Sequence, residues 1–139
     1  MIELPLSTLL KVYGRRLGMR LLAGEKGMNR TINSSDANRP GLTLTGFVEV
    51  VTFDLAQILG NHEIEYLRTL TPERRFQALE IIYQFDIPCV VITGRGRLLP
   101  ELRVLANKHD VPLLRSDFDT TKFIHLLHLY LDDVFAPHA

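Results

Sequence analysis

The chain has a single cysteine, no excess of either charge and no long apolar run. Each lack excludes something. One thiol, Cys89, cannot form an internal disulfide, which suits a reducing cytoplasm. Lys+Arg and Asp+Glu number 16 each, so the formal net charge is zero. A dedicated nucleic-acid binder shows a basic excess or stripe, and none is visible. No apolar run approaches the ~20 residues of a membrane-spanning helix. The sequence also contains no Gly-x4-Gly-Lys-Ser/Thr, so it has no loop of that type to cradle ATP phosphates. That argues against autonomous kinase activity. Gly94-x-Gly96 lacks the third glycine of a dinucleotide fingerprint, and no Ser, His and Asp arrangement stands out as a nucleophilic triad.

What remains is an ordinary globular composition: 139 residues, 46% apolar and 23% charged. That length fits one domain over residues 1–139 with an adequate core. Lys11, Arg15, Arg16 and Arg20 make the start of the chain basic. A transit peptide has that bias, but no small-residue cleavage site or serine enrichment follows, which favours a short helix and then a strand.

Local signals fill in the order. Ser7 can cap a helix running to Tyr13, with Gly14 ending it. Residues 19–23 and 28–33 read as strands around a turn framed by Gly24 and Gly27. The polar residues 33–38 lead into the turn Arg39-Pro40-Gly41, and residues 42–53 fit either a strand or a short helix. Residues 55–59 read as a strand closed by Gly60, and Asn61 caps a helix bearing Ile64 and Leu67. Thr71-Pro72-Glu73 is a second helix start, with Phe76, Leu79, Ile82 and Tyr83 on one face. Residues 88–93 form a continuous apolar strand, as expected where both sheet faces are covered. A helix carrying Leu98, Leu102, Leu105 and His109 follows the loop 94–97, then a strand over 111–115. Asp119 caps a last helix with Phe123, Ile124, Leu127, Tyr130, Leu131, Val134 and Phe135, stopped by Pro137. Strand–helix alternation predicts parallel pairing, hence a three-layer α/β/α domain with a mixed, mostly parallel sheet.

In such sheets ligands bind beyond the carboxyl ends of the strands. That edge would hold Gly60-Asn61, the loop from Thr93 through Gly94 and Arg95 to Arg97, and Arg115-Ser116. Each precedes a helix whose free amides suit an anion, and the arginines add charge. The alternative is that the glycines merely turn the chain and the arginines face water. Arg39 stands before a proline, beside Asp36 and Gly41; it either pairs with Asp36 or meets an anion or a partner. His125 and His128 share a helix face but lack further metal ligands, and His62 with Glu63 suggests either an acid/base pair or a helix start. Asp132 and Asp133 oppose the helix dipole unless a basic neighbour meets them. Cys89 reads as a buried small hydrophobe. The candidate ligand-binding set is Arg39, Gly41, Asn61, Thr93, Gly94, Arg95 and Arg115, with no catalytic or metal residue.

Several blocks also resemble, in order, the amino-terminal domain of HPr kinase/phosphorylase. They are Leu22-Ala23-Gly24-Glu25-x-Gly27, Asp36-x-x-Arg39-Pro40-Gly41-Leu42-x-Leu44-x-Gly46-Phe47, Gln57-Ile58-Leu59-Gly60-Asn61-x-Glu63, Pro88-Cys89-Val90-Val91-Ile92-Thr93 and Val111-Pro112-Leu113-Leu114-Arg115. The resemblance implies a fold similar to the uridine-nucleotide-binding domain of Mur ligases. It implies a parent enzyme, resembling hexameric ones, that phosphorylates a serine of the phosphocarrier HPr and removes that phosphate. In that family the catalytic residues, with ATP and Mg, belong to a carboxy-terminal P-loop domain beginning just after Ala136-Pro137. The implied role is a non-catalytic regulatory or assembly domain in carbon catabolite regulation, without a cofactor in this chain. Its implied partners are the kinase domain, HPr through the parent, and further copies in a homo-oligomer. The family's junction continues Ala-Pro-Arg where this chain has His138, which leaves open a truncated parent or a stand-alone homologue. A stand-alone nucleotide- or anion-binding module is the alternative function.

Overall fold

The computed structural model describes residues 2–46 and 53–136. Half of the stretch left open between strand and helix, Phe47 included, and Pro137 and His138 lie outside the described residues. Seven strands and six α-helices alternate among the described residues: β1 (Leu4–Pro5), α1 (Leu6–Tyr13), β2 (Met19–Ala23), β3 (Thr31–Ile32), β4 (Ala37–Asn38), α2 (Gly41–Leu44), β5 (Ala56–Leu59), α3 (Asn61–Arg68), α4 (Pro72–Tyr83), β6 (Val90–Thr93), α5 (Pro100–His109), β7 (Leu113–Ser116) and α6 (Thr120–Phe135). The main sheet has the order β2-β7-β6-β5-β4, parallel except for the antiparallel pair β2–β7. β1 and β3 form a separate antiparallel pair. The expected three-layer α/β/α architecture with a mixed, mostly parallel sheet is therefore present.

Every residue of β5, β6 and β7 is buried, which is why these strands read as unbroken apolar runs. Alternation assigns their side chains to two cores. Ile58, Val91 and Leu114 stand in register and pack with Leu6 and Leu9 of α1 and Phe123, Leu127 and Leu131 of α6. Leu59, Val90, Ile92 and Leu113 face Leu67 of α3, Leu79 and Ile82 of α4, and Leu102 and Leu105 of α5. On that side Arg75 pairs with Glu101 at 2.9 Å and donates to the Leu67 and Leu70 carbonyls, tying α3, α4 and α5 together.

Helix starts follow capping chemistry, with two corrections. Thr71 accepts from the Arg74 amide and Asp119 from the Lys122 amide, as expected. Ser7 does not cap α1. The helix begins after Pro5, and the Leu6 and Ser7 amides donate to the Arg30 and Met28 carbonyls, so neighbouring backbone replaces a side-chain cap. Asn61 is the first residue of α3 rather than its cap. Gly60 holds the cap position, and its amide donates to the Glu63 carboxylate at 3.1 Å. Leu98 precedes α5, which starts at Pro100, where a missing N–H costs nothing.

Strand limits differ as well. Only residues 31 and 32 of the 28–33 run pair, and β7 is shifted to end at Ser116. The polar lead-in conceals β4, which pairs in parallel with β5. Its Asn38 amide donates to the Gln57 side-chain oxygen at 2.8 Å, a side-chain amide contact that supports this edge beside the packed Ala37. Residues 41–44 are helical, with Leu44 buried and Leu42 70% exposed.

Phe123 is fully buried at the α6–sheet contact. Phe123→Ala should lower the unfolding free energy by about 3–5 kcal/mol in urea denaturation. Leu42→Ala, at an exposed site, should change it by less than about 0.5 kcal/mol.

Candidate functional site at the carboxyl edge of the sheet

The parallel register pairs Leu59 with Ile92, so β6 runs one residue beyond β5, and the chain leaves both strands at glycines: Gly60 and Gly94. Gly94 has φ +83°, a left-handed turn that disfavours side chains, and it lies against the Asn61 side chain. Gly60 is needed for a different reason. A Cβ there would overlap the Thr120 hydroxyl and lie 3.0 Å from the Arg39 guanidinium. Thr120 opens α6, and its Oγ1 lies 2.6 Å from Oγ1 of buried Thr93. The beginnings of α3 and α6 thus meet beside Arg39.

Arg39 does not pair with Asp36. Residues three apart in an extended chain point to opposite faces. Asp36 instead lies 3.6 Å from His128 of α6. The Arg39 side chain reaches α3, where Nε and Nη2 donate to the two oxygens of Glu63 at 3.0 and 2.9 Å. Glu63 is only 6% exposed and also accepts the Gly60 amide, so its charge is compensated from two sides. Arg39, Asn61, His62, Asp119, Thr120 and Thr121 surround an open polar cleft of about 260 Å³.

Of the residues selected from sequence, the structure groups Arg39, Asn61, Thr93 and Gly94 around this edge. Gly41 opens α2, and no atom lies within 4 Å of where its Cβ would be. Arg115 is buried, and its guanidinium donates to the carbonyls of Gly94 and Gly96. It holds the 94–97 loop, with Arg68 donating to the Arg97 carbonyl at 2.9 Å. Arg95 is exposed on that loop. Gly60 was expected on this edge but not among the candidate ligand-binding residues, and Thr120 did not stand out in the sequence. Of the two readings offered for His62 and Glu63, the helix start is what the structure shows: Glu63 lies in the first turn of α3 and is held by Arg39 and the Gly60 amide.

Asp117 follows β7 on the same edge. Hydrogen bonding from Arg20, at 2.9 Å, holds its carboxyl below the ordinary value, with the charges of Arg20, Arg95 and Arg115 adding. Burial pushes the Cys89 thiol up to about 12, consistent with a packed and unreactive side chain. His125 is exposed on α6.

Comparison with known proteins bears on this geometry. The family described as HPr Serine kinase N terminus matches residues 6–131. The chain belongs to that family. Among its relatives is the HPr kinase/phosphorylase of Chloroherpeton thalassium, 41% identical over 109 residues, 78% of this chain and 32% of the relative. That of Clostridium perfringens (strain SM101 / Type A) is 40% identical over 111 residues, 80% and 36%. That of Caldicellulosiruptor bescii is 37% identical over 124 residues, 88% and 40%. The chain thus spans a third to two-fifths of the length of these members of the family.

Two outcomes test the edge. Gly60→Ala should destabilise by about 1–3 kcal/mol through overpacking, and adding Thr120→Ala should recover part of the loss in a double-mutant cycle. Because the folded Asp117 carboxyl titrates low, its contribution is present above the unfolded value of about 4 and fades as pH falls through the folded one. NMR titration should show Asp117 moving up towards the ordinary value in Arg20→Ala.

Proposed function

We propose that this chain is the amino-terminal accessory domain of an HPr kinase/phosphorylase, a domain that positions or helps assemble the catalytic part rather than performing chemistry. The carrying observation is the family match over residues 6–131 in a chain that equals about a third of its relatives' length. The geometry favours the same reading. At the carboxyl edge, Arg39 is matched to Glu63, Thr93 to Thr120, and Arg115 to loop carbonyls, so these groups act on each other. On this reading the whole protein works in the cytoplasm, regulates carbon use through serine phosphorylation of HPr, and forms an oligomer. ATP and Mg belong to its catalytic part.

A second reading rests on the polar cleft: a small anionic ligand, such as a nucleotide, bound near Arg39 and Asn61 with Arg95 at its rim. The chain would then be a ligand-binding module.

Replacing the matched third of the Clostridium perfringens relative by this chain should keep HPr phosphorylation within about tenfold of the intact relative, a cost under about 1.4 kcal/mol in activation free energy. A folded but inactive hybrid contradicts the accessory reading. For the second reading, uridine or adenine nucleotides should raise the melting temperature increasingly with concentration, reaching about 2.7 kcal/mol of stabilisation at a hundredfold excess over Kd. The upshift should vanish in Arg39→Ala or Arg95→Ala; no upshift with the unaltered chain rejects that reading.

A further inference from the structure

On the opposite side of the sheet from α3, α4 and α5, α1 and α6 share an outer face with an unusual surface. Tyr13 and Tyr130 stack with ring centroids 5.7 Å apart, and the Arg16 guanidinium lies 5.4 Å from the centroid of each ring. Beside them Leu129 is 55% exposed. These side chains border an open cleft of about 500 Å³ that also reaches Ala136. Tyrosine and arginine concentrate at protein–protein interfaces, because each presents a large contact area with polar groups that fix orientation. Here the rings and the guanidinium already hold one another, which lowers the ordering cost of a contact.

The second feature is electrostatic. Asp132 and Asp133 line the same cleft in the last turn of α6, where the helix carbonyls already concentrate negative charge. No basic residue stands in that turn, and neither aspartate has a salt-bridge partner among the described residues. Two carboxylates placed against the dipole are locally unfavourable; a cation brought by a partner would offset them. Such a conflict between local and global preferences is the pattern that functional surfaces show.

The occupant follows from the location. The matched family is an N terminus, the match ends inside α6, and the relatives carry about two-thirds of their length outside it. In a whole protein the rest of the chain would depart from the end of α6, where Ala136 lines this cleft.

We propose that the outer α1–α6 face is the docking surface for the catalytic portion that follows in the whole enzyme. A basic group of that portion meets Asp132 and Asp133, and an apolar side chain meets Leu129 and Tyr130. This rests on the accessory reading above and goes beyond it by naming the surface.

The test joins this chain, after Ala136, to the remaining two-thirds of the Clostridium perfringens and the Chloroherpeton thalassium relatives, using a Leu129→Cys variant. Native Cys89 is buried and should label slowly. The thiol introduced at 129 should react with a maleimide freely in the 139-residue chain and about tenfold or more slowly in the joined proteins, read by peptide mass spectrometry. Adding Asp132→Lys and Asp133→Lys should restore the fast rate. Val104→Cys, at an exposed residue of α5, should label equally fast in both forms. Equal labelling at 129 in joined proteins that phosphorylate HPr overturns the docking surface and leaves the accessory reading standing. Protection at 129 that survives both lysines overturns the role of the aspartates. Joined proteins that fold but fail to phosphorylate HPr contradict the accessory reading, and the docking surface falls with it.

Discussion

The register of three parallel strands governs this domain. Ile58, Val91 and Leu114 lie in one row across β5, β6 and β7, and all face α1 and α6. A slip of one residue in any strand would turn its apolar set to the wrong core. The same register sets Gly60 level with Thr93, one residue before Gly94, and Thr120 at the start of α6 reaches both. The polar edge is therefore a consequence of apolar packing on the two sheet faces.

At that edge the decisive contact is Arg39 with Glu63. A carboxylate only 6% exposed would be costly alone. The two-point guanidinium contact and the Gly60 amide satisfy it, and the chain between β4 and α2 is fastened to the start of α3. Gly60 must stay small for Arg39 and Thr120 to approach. Arg115 does comparable work under the next loop, where its guanidinium takes up carbonyls that a left-handed glycine turn exposes. Arg39 and Arg115, whose types suggest anion recognition, are thus both engaged with protein groups at the ends of these loops.

The layers were legible because buried strands and amphipathic helices write their periods into the sequence: residues 88–93 and the Thr71-Pro72 and Asp119 starts needed no tertiary knowledge. The cap of α1 was not, since Ser7 is a good cap chemically but the backbone of residues 28 and 30 supplies the acceptors. β4 was hidden because Asn38 and Gln57 pair through side-chain amides, a contact invisible to hydrophobic patterning. At the edge, Asn61, Thr93 and Gly94 were readable from the rule that loops after parallel strands converge, whereas Arg39 stood out only for its place before Pro40 and Gly41. The partner of Arg39 was not readable, because Glu63 is 24 residues away and nearby Asp36 has the same charge. Arg115 has a ligand-like residue type, and its burial and its carbonyl partners in the 94–97 loop could not be read from the sequence. The ordered blocks that resemble HPr kinase/phosphorylase carried the family, which no periodicity could have supplied.

On the proposed reading, an α/β unit whose edge groups are matched to each other contributes by its surface, beside a catalytic part carried elsewhere. Incubating the purified 139-residue chain with ATP, Mg and HPr, and reading HPr by mass spectrometry, probes this most directly. The account predicts no phosphoserine above an enzyme-free control. Phosphorylated HPr formed in proportion to the amount of this chain would contradict it.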